Sequence, residues 1–326
     1  MNKTITKIRW ENGGCLPTPL ASIWILGKCN LGCKHCYEGR SKAQKQVLPK
    51  ERVKLIMNKL APFVNSFSFM GGEPTLHPDL PELCDYAQQL GKYTLLVSNG
   101  VAVDKSMVKS LRDKVDCVKL GMDGTTDNYH DMVRGKGAFA KTLRAWEAMT
   151  PHISTMCKFT LNAQNIENLP QIADFYQQLG AKRLILNGWL KVGRGANIWN
   201  KHFALSSRQR QTINEYVTRE LKPRYNVFPI SRSCSLDNGC KVMPARTFYV
   251  DSRGAVSPCI FSAGLGVGNI LSPDTNVETL LMQVNKIRQA HNNLHEPHKQ
   301  VQKKHEMVVM KPTTFMPELA MQACRH

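Results

Sequence analysis

The chain has 326 residues, which is long enough to bury a large core and to form one large domain with a smaller one. Its 44 Lys and Arg against 25 Asp and Glu give a net charge of +19, which suits an anionic partner, although a solvated basic face explains such a charge more often. It has no run of about 18 apolar residues and no signal-peptide core, which excludes a membrane-spanning helix and predicts a cytoplasmic protein. No RNA-binding signature with interleaved aromatic residues occurs, so the sequence argues against a nucleic-acid partner. Eleven cysteines in a reducing compartment favour metal ligands or buried thiols over disulfides.

Short apolar segments alternate with helical patterns as far as residue 187. The predicted strands cover residues 22–26, 66–70, 93–98, 115–121, 153–161 and 183–187. The predicted helices cover residues 49–60, 78–90, 104–112, 137–149 and 168–179, and a further helix covers 206–222. This alternation implies a parallel sheet. Because a full barrel has about eight strand–helix steps and this chain shows six, the sequence predicts an α/β fold with a partial (β/α)6 TIM-like barrel, whose chemistry lies at the carboxyl ends of the strands.

Three cysteines, Cys29, Cys33 and Cys36, follow the first predicted strand with the spacing C-x₃-C-x₂-C. A four-iron cluster is normally held by four thiolates, so a loop that supplies three leaves one iron for a small molecule. A structural zinc loop is the alternative, but such loops favour paired cysteines and four closed ligands. The spacing therefore favours a catalytic iron–sulfur cluster over zinc.

This loop, with Asn-Leu-Gly between the first two cysteines and Tyr37 directly after the last, resembles that of the radical S-adenosylmethionine (radical SAM) family. The resemblance implies that Cys29, Cys33 and Cys36 hold a catalytic 4Fe-4S cluster and that S-adenosylmethionine binds its open iron. It also implies reductive cleavage of that cofactor to a 5′-deoxyadenosyl radical, which takes a hydrogen atom from a substrate carbon. A flavodoxin- or ferredoxin-type electron donor is expected with such chemistry.

Further motifs at strand ends resemble the cofactor contacts of the same family. Gly71-Gly72-Glu73 follows the second strand and implies contact with the amino group of the methionine moiety. The resemblance extends the set of cofactor-binding residues to Tyr37, Gly71, Gly72, Glu73, Ser98, Asn99, Asp123 and Arg134, with Ser98 and Asn99 near the ribose and Arg134 at the cofactor carboxylate. Plain turns are the alternative for the Ser98-Asn99 segment. After the sixth strand, Asn187, Lys191 and Arg194 face either the substrate or solvent.

The C-terminal region carries a second cysteine pattern, in which Cys240 is followed by Gly254-x₄-Cys259. A strand–turn–strand around residues 252–254 would bring Cys240 and Cys259 together. The pattern resembles the auxiliary-cluster domain called SPASM or, when shortened, twitch. The resemblance implies a domain order of lead-in (1–19), radical SAM barrel (20–222) and small Fe-S auxiliary domain (223–326).

One auxiliary 4Fe-4S cluster would have the metal ligands Cys234, Cys240, Cys259 and Cys324, and zinc is the competing metal. A second cluster is excluded because only one cysteine follows Cys259. The run His291-x₃-His295-x₂-His298 offers alternative ligands, although a degenerate His-rich tail is the preferred explanation.

The resemblance leaves the substrate open. Oxidative modification of a ribosomally made peptide or protein side chain ranks first, because the basic charge suits an acidic peptide. A small-molecule substrate such as a sugar, an aminocyclitol, or a haem or cofactor precursor ranks second, and a non-catalytic iron–sulfur or zinc protein that binds RNA ranks third. Ile260 stands where sulfatase-maturing relatives carry an Asp, which disfavours that reaction. Only 28 residues precede Cys29, so recognition of a peptide leader would need a separate leader-binding protein.

Overall fold

A computed structural model describes residues 19–39, 46–181, 183–189, 191, 193–197, 203–223, 227–228, 247–260 and 266–294. The strands are β1 Leu20–Leu26, β2 Ser66–Gly71, β3 Tyr93–Ser98, β4 Cys117–Gly121, β5 Ser154–Leu161, β6 Arg183–Gly188, β7 Val227–Phe228, β8 Thr247–Val250, β9 Ala255–Ser257 and β10 Gly268–Asn269. The helices are α1 Lys50–Leu60, α2 Leu80–Gln89, α3 Lys105–Leu111, α4 Asp127–Arg134, α5 Ala138–Met149, α6 Leu169–Gln178, α7 Arg194–Asn197, α8 Ser207–Tyr216 and α9 Val277–Leu294. In these segments, no helix is both long and apolar enough to cross a bilayer.

All ten strands form one sheet, in the order β10-β9-β8-β1-β2-β3-β4-β5-β6-β7. The strands from β8 to β7 run parallel, and β9 and β10 are antiparallel to their neighbours. The six predicted strands lie side by side in chain order, which confirms the α/β fold with a partial TIM-like barrel. Parallel neighbours that follow one another in the chain bring their carboxyl ends to one rim, where the predicted motifs meet.

The two faces of the sheet have different partners. Side chains such as Val118, Leu120 and Phe159 join the large core between the sheet and its helices. Each helix contributes one apolar stripe to this core, as α1 does with Val53, Ile56, Met57 and Leu60. The concave face carries two smaller apolar clusters, one around Trp24, Met70 and Tyr249 and one around Leu95, Cys117 and Met156.

Several elements differ from the sequence prediction. Helix α4 was not predicted, and the helix predicted at 206–222 is α8 followed by one π-helical turn, Val217–Leu221.

The strand–turn–strand predicted around residues 252–254 is present as β8 and β9, with Val250 opposite Val256. Strand β8 also pairs with β1, so this hairpin continues the sheet of the barrel. The domain boundaries stay predictions.

Candidate active site

The cysteine loop begins where β1 ends, and backbone hydrogen bonds hold it from two sides. Lys34 N donates to Val133 O at 2.8 Å, and Arg194 N donates to Cys36 O at 2.8 Å. Cys33 is buried, Cys36 is half-buried and Cys29 is exposed. The thiols lie close enough that a negative charge on Cys29 or Cys36 raises the pKa of Cys33.

Burial raises the pKa of the Cys33 thiol to about 11 against the opposing effect of Arg134, and burial also raises the pKa of Cys29. Iron binding must therefore displace protons from these thiols. Among the described residues, no group of three or more His, Cys, Asp or Glu side chains is arranged to hold a single metal ion. A four-iron cluster makes a different demand, because each thiolate binds a different iron atom. One short loop with three neighbouring thiols fits such a cluster.

The glycine motif after β2 lies directly against the cysteine loop. Gly72 N donates to Leu26 O at 2.7 Å, and Glu73 N donates to Lys28 O at 2.9 Å. A Cβ atom on Gly72 would lie 2.4 Å from Lys28 O, far inside van der Waals contact. Glycine is therefore needed at this position for the two segments to pair.

The Glu73 side chain is 1% exposed and is held by four hydrogen bonds. Its Oε1 accepts from Thr75 N (3.1 Å), Thr75 Oγ1 (2.6 Å) and Ser98 Oγ (2.7 Å), and its Oε2 accepts from Asn99 N (2.7 Å). Burial raises the pKa of Glu73, and these donors oppose the rise. Oε2 retains capacity for a second donor, since a carboxylate oxygen has two lone pairs.

Ser98 and Asn99 therefore orient Glu73, whatever else they contact. The Asn99 side chain also reaches the cysteine loop, where its Nδ2 donates to Asn30 Oδ1 at 2.8 Å and approaches Cys29 Sγ at 3.8 Å. The predicted ribose contact stays a prediction. The structure thus joins β1, β2 and β3 through one polar network at the rim of the barrel.

Asp123 is the centre of a second network, beyond the end of β4. Its Oδ2 pairs with Arg134 Nε at 2.5 Å and with His35 Nε2 at 2.6 Å, and its Oδ1 accepts from Thr160 N at 3.0 Å. Burial would raise the pKa of Asp123, but Arg134 and His35 outweigh it and hold the pKa well below its usual range. The sequence analysis did not identify His35 as a site residue. The sequence feature that pointed to it was its position between Cys33 and Cys36.

Arg134 was predicted to reach the cofactor carboxylate. Its Nε is engaged by Asp123, and its terminal nitrogens lie against Gly121, where a Cβ atom would be 2.5 Å from Nη2. The guanidinium also acts on the Cys33 thiol, so it lies beside the cysteine loop. Its contact with the cofactor stays a prediction.

Tyr37 connects the cysteine loop to the β8–β9 hairpin through an aromatic cluster. The Trp24 ring lies 6.5 Å from that of Tyr37 and 6.1 Å from that of Tyr249, measured between centroids. Cys259 is buried just after β9 and is close enough to Tyr37 to affect the pKa of its phenol. The other predicted auxiliary ligands, Cys234, Cys240 and Cys324, lie outside the described residues, as do the side chain of His291 and the whole of His295 and His298. The auxiliary cluster therefore stays a prediction.

The loop after β6 approaches the cysteine loop from the opposite side. A Cβ atom on Gly193 would lie 2.2 Å from Tyr37 O, which makes glycine necessary there. The buried Nε of Arg194 has no hydrogen-bond partner among the described residues, and its charge lowers the pKa of Cys29. Asn187 faces the concave side of β6, and its buried Nδ2 likewise has no partner in the described part of the chain. Whether Asn187, Lys191 and Arg194 face substrate or solvent stays a prediction, but Arg194 lies close enough to Cys29 to act on its thiol.

Known proteins resemble this chain in sequence and in fold. Residues 25–179 match the Radical SAM superfamily. The chain is 32% identical to Fe-coproporphyrin III synthase of Methanosarcina barkeri, over 67% of this chain and 55% of that protein, and 31% identical to mycofactocin maturase MftC of Mycolicibacterium smegmatis, over 65% and 54%. The chain thus spans about half the length of these curated relatives.

Streptococcus suis SuiB has the same fold. Its structure with bound S-adenosylmethionine gives a TM-score of 0.65 at 16% identity, over 82% of this chain and 68% of SuiB. Its structure with the precursor peptide SuiA gives 0.63 at 18%, over 82% and 64%. The chain belongs to the Radical SAM superfamily, and that family implies a 4Fe-4S cluster and S-adenosylmethionine as cofactors.

Proposed function

We propose that this protein uses a three-cysteine cluster and S-adenosylmethionine to oxidise a carbon of a ribosomally made peptide. When bound, these cofactors supply a 5′-deoxyadenosyl radical that removes a hydrogen atom from the substrate. The observation that carries the proposal is the close pairing of the cysteine loop with the Gly72-Glu73 backbone, because it places a buried carboxylate close to Cys29.

The residues of the site would have separate roles. Cys29, Cys33 and Cys36 would hold the cluster and leave one iron open. Glu73 would accept a hydrogen bond from the amino group of the cofactor through Oε2, since Oε1 is saturated by its other donors. The Asp123 network keeps His35, and with it the loop between Cys33 and Cys36, in a fixed position.

The peptide substrate is supported by relatives rather than by a contact in this chain. MftC is named a maturase, and SuiB is described in complex with a precursor peptide. A small molecule is the second candidate, because Fe-coproporphyrin III synthase is similarly related in sequence. Cys234, Cys240, Cys259 and Cys324 would hold an auxiliary cluster, which would supply an acceptor for the electron left on the substrate.

The test is anaerobic incubation of the reconstituted protein, S-adenosylmethionine and a reductant with short peptides encoded beside its gene. The proposal expects one peptide to lose a mass of about two hydrogen atoms. A matched reaction with Cys33→Ala should leave that peptide unchanged. If no neighbouring peptide changes while an iron porphyrin precursor does, the peptide assignment is wrong and the small-molecule assignment replaces it.

A further inference from the structure

Two lysines lie on the concave face of the barrel, below the cysteine loop. Lys119 is on β4 and Lys158 on β5, and each alternates along its strand with residues that pack outward against the helices. In the register of the sheet, Lys119 lies opposite Met156 and Lys158 lies opposite Gly121. Both lysines are half-buried, so part of each side chain stays accessible from inside the barrel.

The surroundings of these lysines are layered along the barrel axis. The apolar cluster of Leu95, Cys117 and Met156 forms the layer nearest the amino ends of the strands. Lys119 comes two residues after Cys117, and Lys158 two residues after Met156, which places each lysine about 7 Å closer to the rim. Along their strands, the two lysines therefore lie between this apolar cluster and the rim that carries the cysteine loop.

The charges around the lysines are not balanced. Asp123 is the carboxylate that acts on Lys158, but its oxygens are already engaged by Arg134, His35 and Thr160 N. Neither lysine has a hydrogen bond or ion pair with a residue that the structure describes. Burial, together with the nearby cations Lys158 and Arg183, lowers the pKa of Lys119 to about 8 against the opposing effect of the Cys117 thiol.

Buried cations are costly unless an anion or a hydrogen-bond acceptor compensates them. A barrel interior that holds two such cations and is open toward the reaction centre suits a ligand that brings its own negative charge. The methionine carboxylate of the cofactor would have another place, because the cysteines and Glu73 lie at the ends of β1 and β2, and Arg134, its predicted partner, lies on α4 rather than on β4 or β5.

We propose that Lys119 and Lys158 bind a carboxylate of the substrate inside the barrel. This inference rests on the proposed function and narrows its substrate class to molecules that carry a carboxylate near the carbon that is oxidised. The carboxylate could belong to an acidic side chain, to the C-terminus of a peptide or to a small carboxylic acid, and these sources share the same recognition chemistry.

The test measures protection of lysines from acetic anhydride in the anaerobically reconstituted protein with S-adenosylmethionine bound. The probes are acetyl-Gly-Glu-Gly-amide against its Gln analogue, acetyl-Gly-Gly-Gly acid against its amide, and glutarate against glutaramide. We expect at least one acid to slow acetylation of Lys119 and Lys158 by about tenfold or more relative to its neutral partner, since hydrogen bonds to charged groups are strong. Lys141, which is exposed on α5, serves as the internal control and should not respond. The acid that protects at the lowest concentration identifies the source of the carboxylate.

Variants provide an independent readout. Lys119→Met and Lys158→Met should each weaken binding of the protecting acid by about tenfold or more, while Lys119→Arg, which keeps the charge, and Lys141→Met should retain it. If a variant fails to fold, the protection measured in the wild-type protein decides alone.

Equal protection by acids and their neutral partners would overturn the inference. So would full protection by S-adenosylmethionine alone, with no further effect of any acid, because the occupant would then be the cofactor. Protection of the lysines from acetylation is measured without turnover. A protein that forms no 5′-deoxyadenosine would therefore count against the proposed function, while the protection result would still test binding of the carboxylate.

Discussion

Replacing Asp123 with Asn tests whether the second polar network supports the cysteine loop. The Asp123 side chain is 1% exposed and that of Arg134 is 9% exposed, so the change leaves a buried guanidinium without its counter-charge. Removing one partner of a buried ion pair costs about 3–5 kcal/mol, a large share of the roughly 5–15 kcal/mol that stabilises a typical domain. We therefore expect the Asp123→Asn apoprotein to lose about 3–5 kcal/mol of its free energy of unfolding near neutral pH.

The effect should depend on pH in a defined direction. The pKa of Asp123 is held well below its usual range in the folded protein, mainly by Arg134 and His35 acting against burial. A depressed carboxyl pKa stabilises the fold above the unfolded value, about 3.9, and this contribution is lost as the pH falls through the folded pKa. The difference in free energy of unfolding between wild type and Asp123→Asn should therefore be largest near neutral pH and decrease only at acidic pH.

Urea unfolding of the reduced apoprotein, followed by tryptophan fluorescence, measures this difference. Asp113→Asn is the matched control, because Asp113 forms an exposed pair with Arg112 that should contribute less than about 1 kcal/mol. The double variant Asp123→Asn/Arg134→Met removes the stranded charge and should recover part of the loss. A loss below about 1 kcal/mol in Asp123→Asn, or no recovery in the double variant, would refute the reasoning.

Three further predictions concern the rim and the interior of the barrel. Glu73→Gln should weaken S-adenosylmethionine binding by about 10- to 100-fold in equilibrium dialysis, because a neutral amide loses the charge-assisted hydrogen bond to the amino group of the cofactor. Gly72→Ala should lower the iron bound per chain after reconstitution, because its Cβ would lie 2.4 Å from Lys28 O and push the cysteine loop away. Lys119→Met should stabilise the apoprotein near neutral pH by up to about 3 kcal/mol in urea unfolding, since the folded pKa of about 8 lies below the unfolded value. Because the unfolded state binds more protons to Lys119 between these two values, the stability of wild type relative to Lys119→Met should rise with pH across that window.

Each of these three predictions would be contradicted by a specific result. Unchanged cofactor affinity in Glu73→Gln, with the surface change Glu82→Gln as control, would remove Glu73 from the cofactor site. Full iron content in Gly72→Ala would show that the loop tolerates the extra methyl group. A stability difference between wild type and Lys119→Met that stays constant from about pH 8 to 10 would mean that the pKa of Lys119 is not lowered by burial.

Much of the barrel could be predicted because its strands are buried on both faces and read as short apolar runs. The cysteine loop and Gly72-Glu73 could be assigned to one site because parallel strands end at one rim. Helix α4 escaped prediction because its buried face includes His130 and Arg134, whose burial depends on Asp123, seven and eleven residues away in the chain.

Other features depend on pairing that local sequence does not encode. Strands β7 and β8 have two and four residues, and each is defined by its neighbour, β6 or β1. The pattern around Lys119 and Lys158 shows polar residues in strands but not which face of the sheet they occupy. The alternative of a non-catalytic RNA-binding protein loses support because the chain matches a family of enzymes and its cysteine loop fits a cluster.

The most direct test of the account is anaerobic formation of 5′-deoxyadenosine. Protein reconstituted with iron and sulfide should release this product from S-adenosylmethionine when dithionite is added, and Cys33→Ala should not. A fully loaded cluster that binds the cofactor and still forms no 5′-deoxyadenosine, with peptide and carboxylate substrates present, would contradict the assignment of radical chemistry to this site.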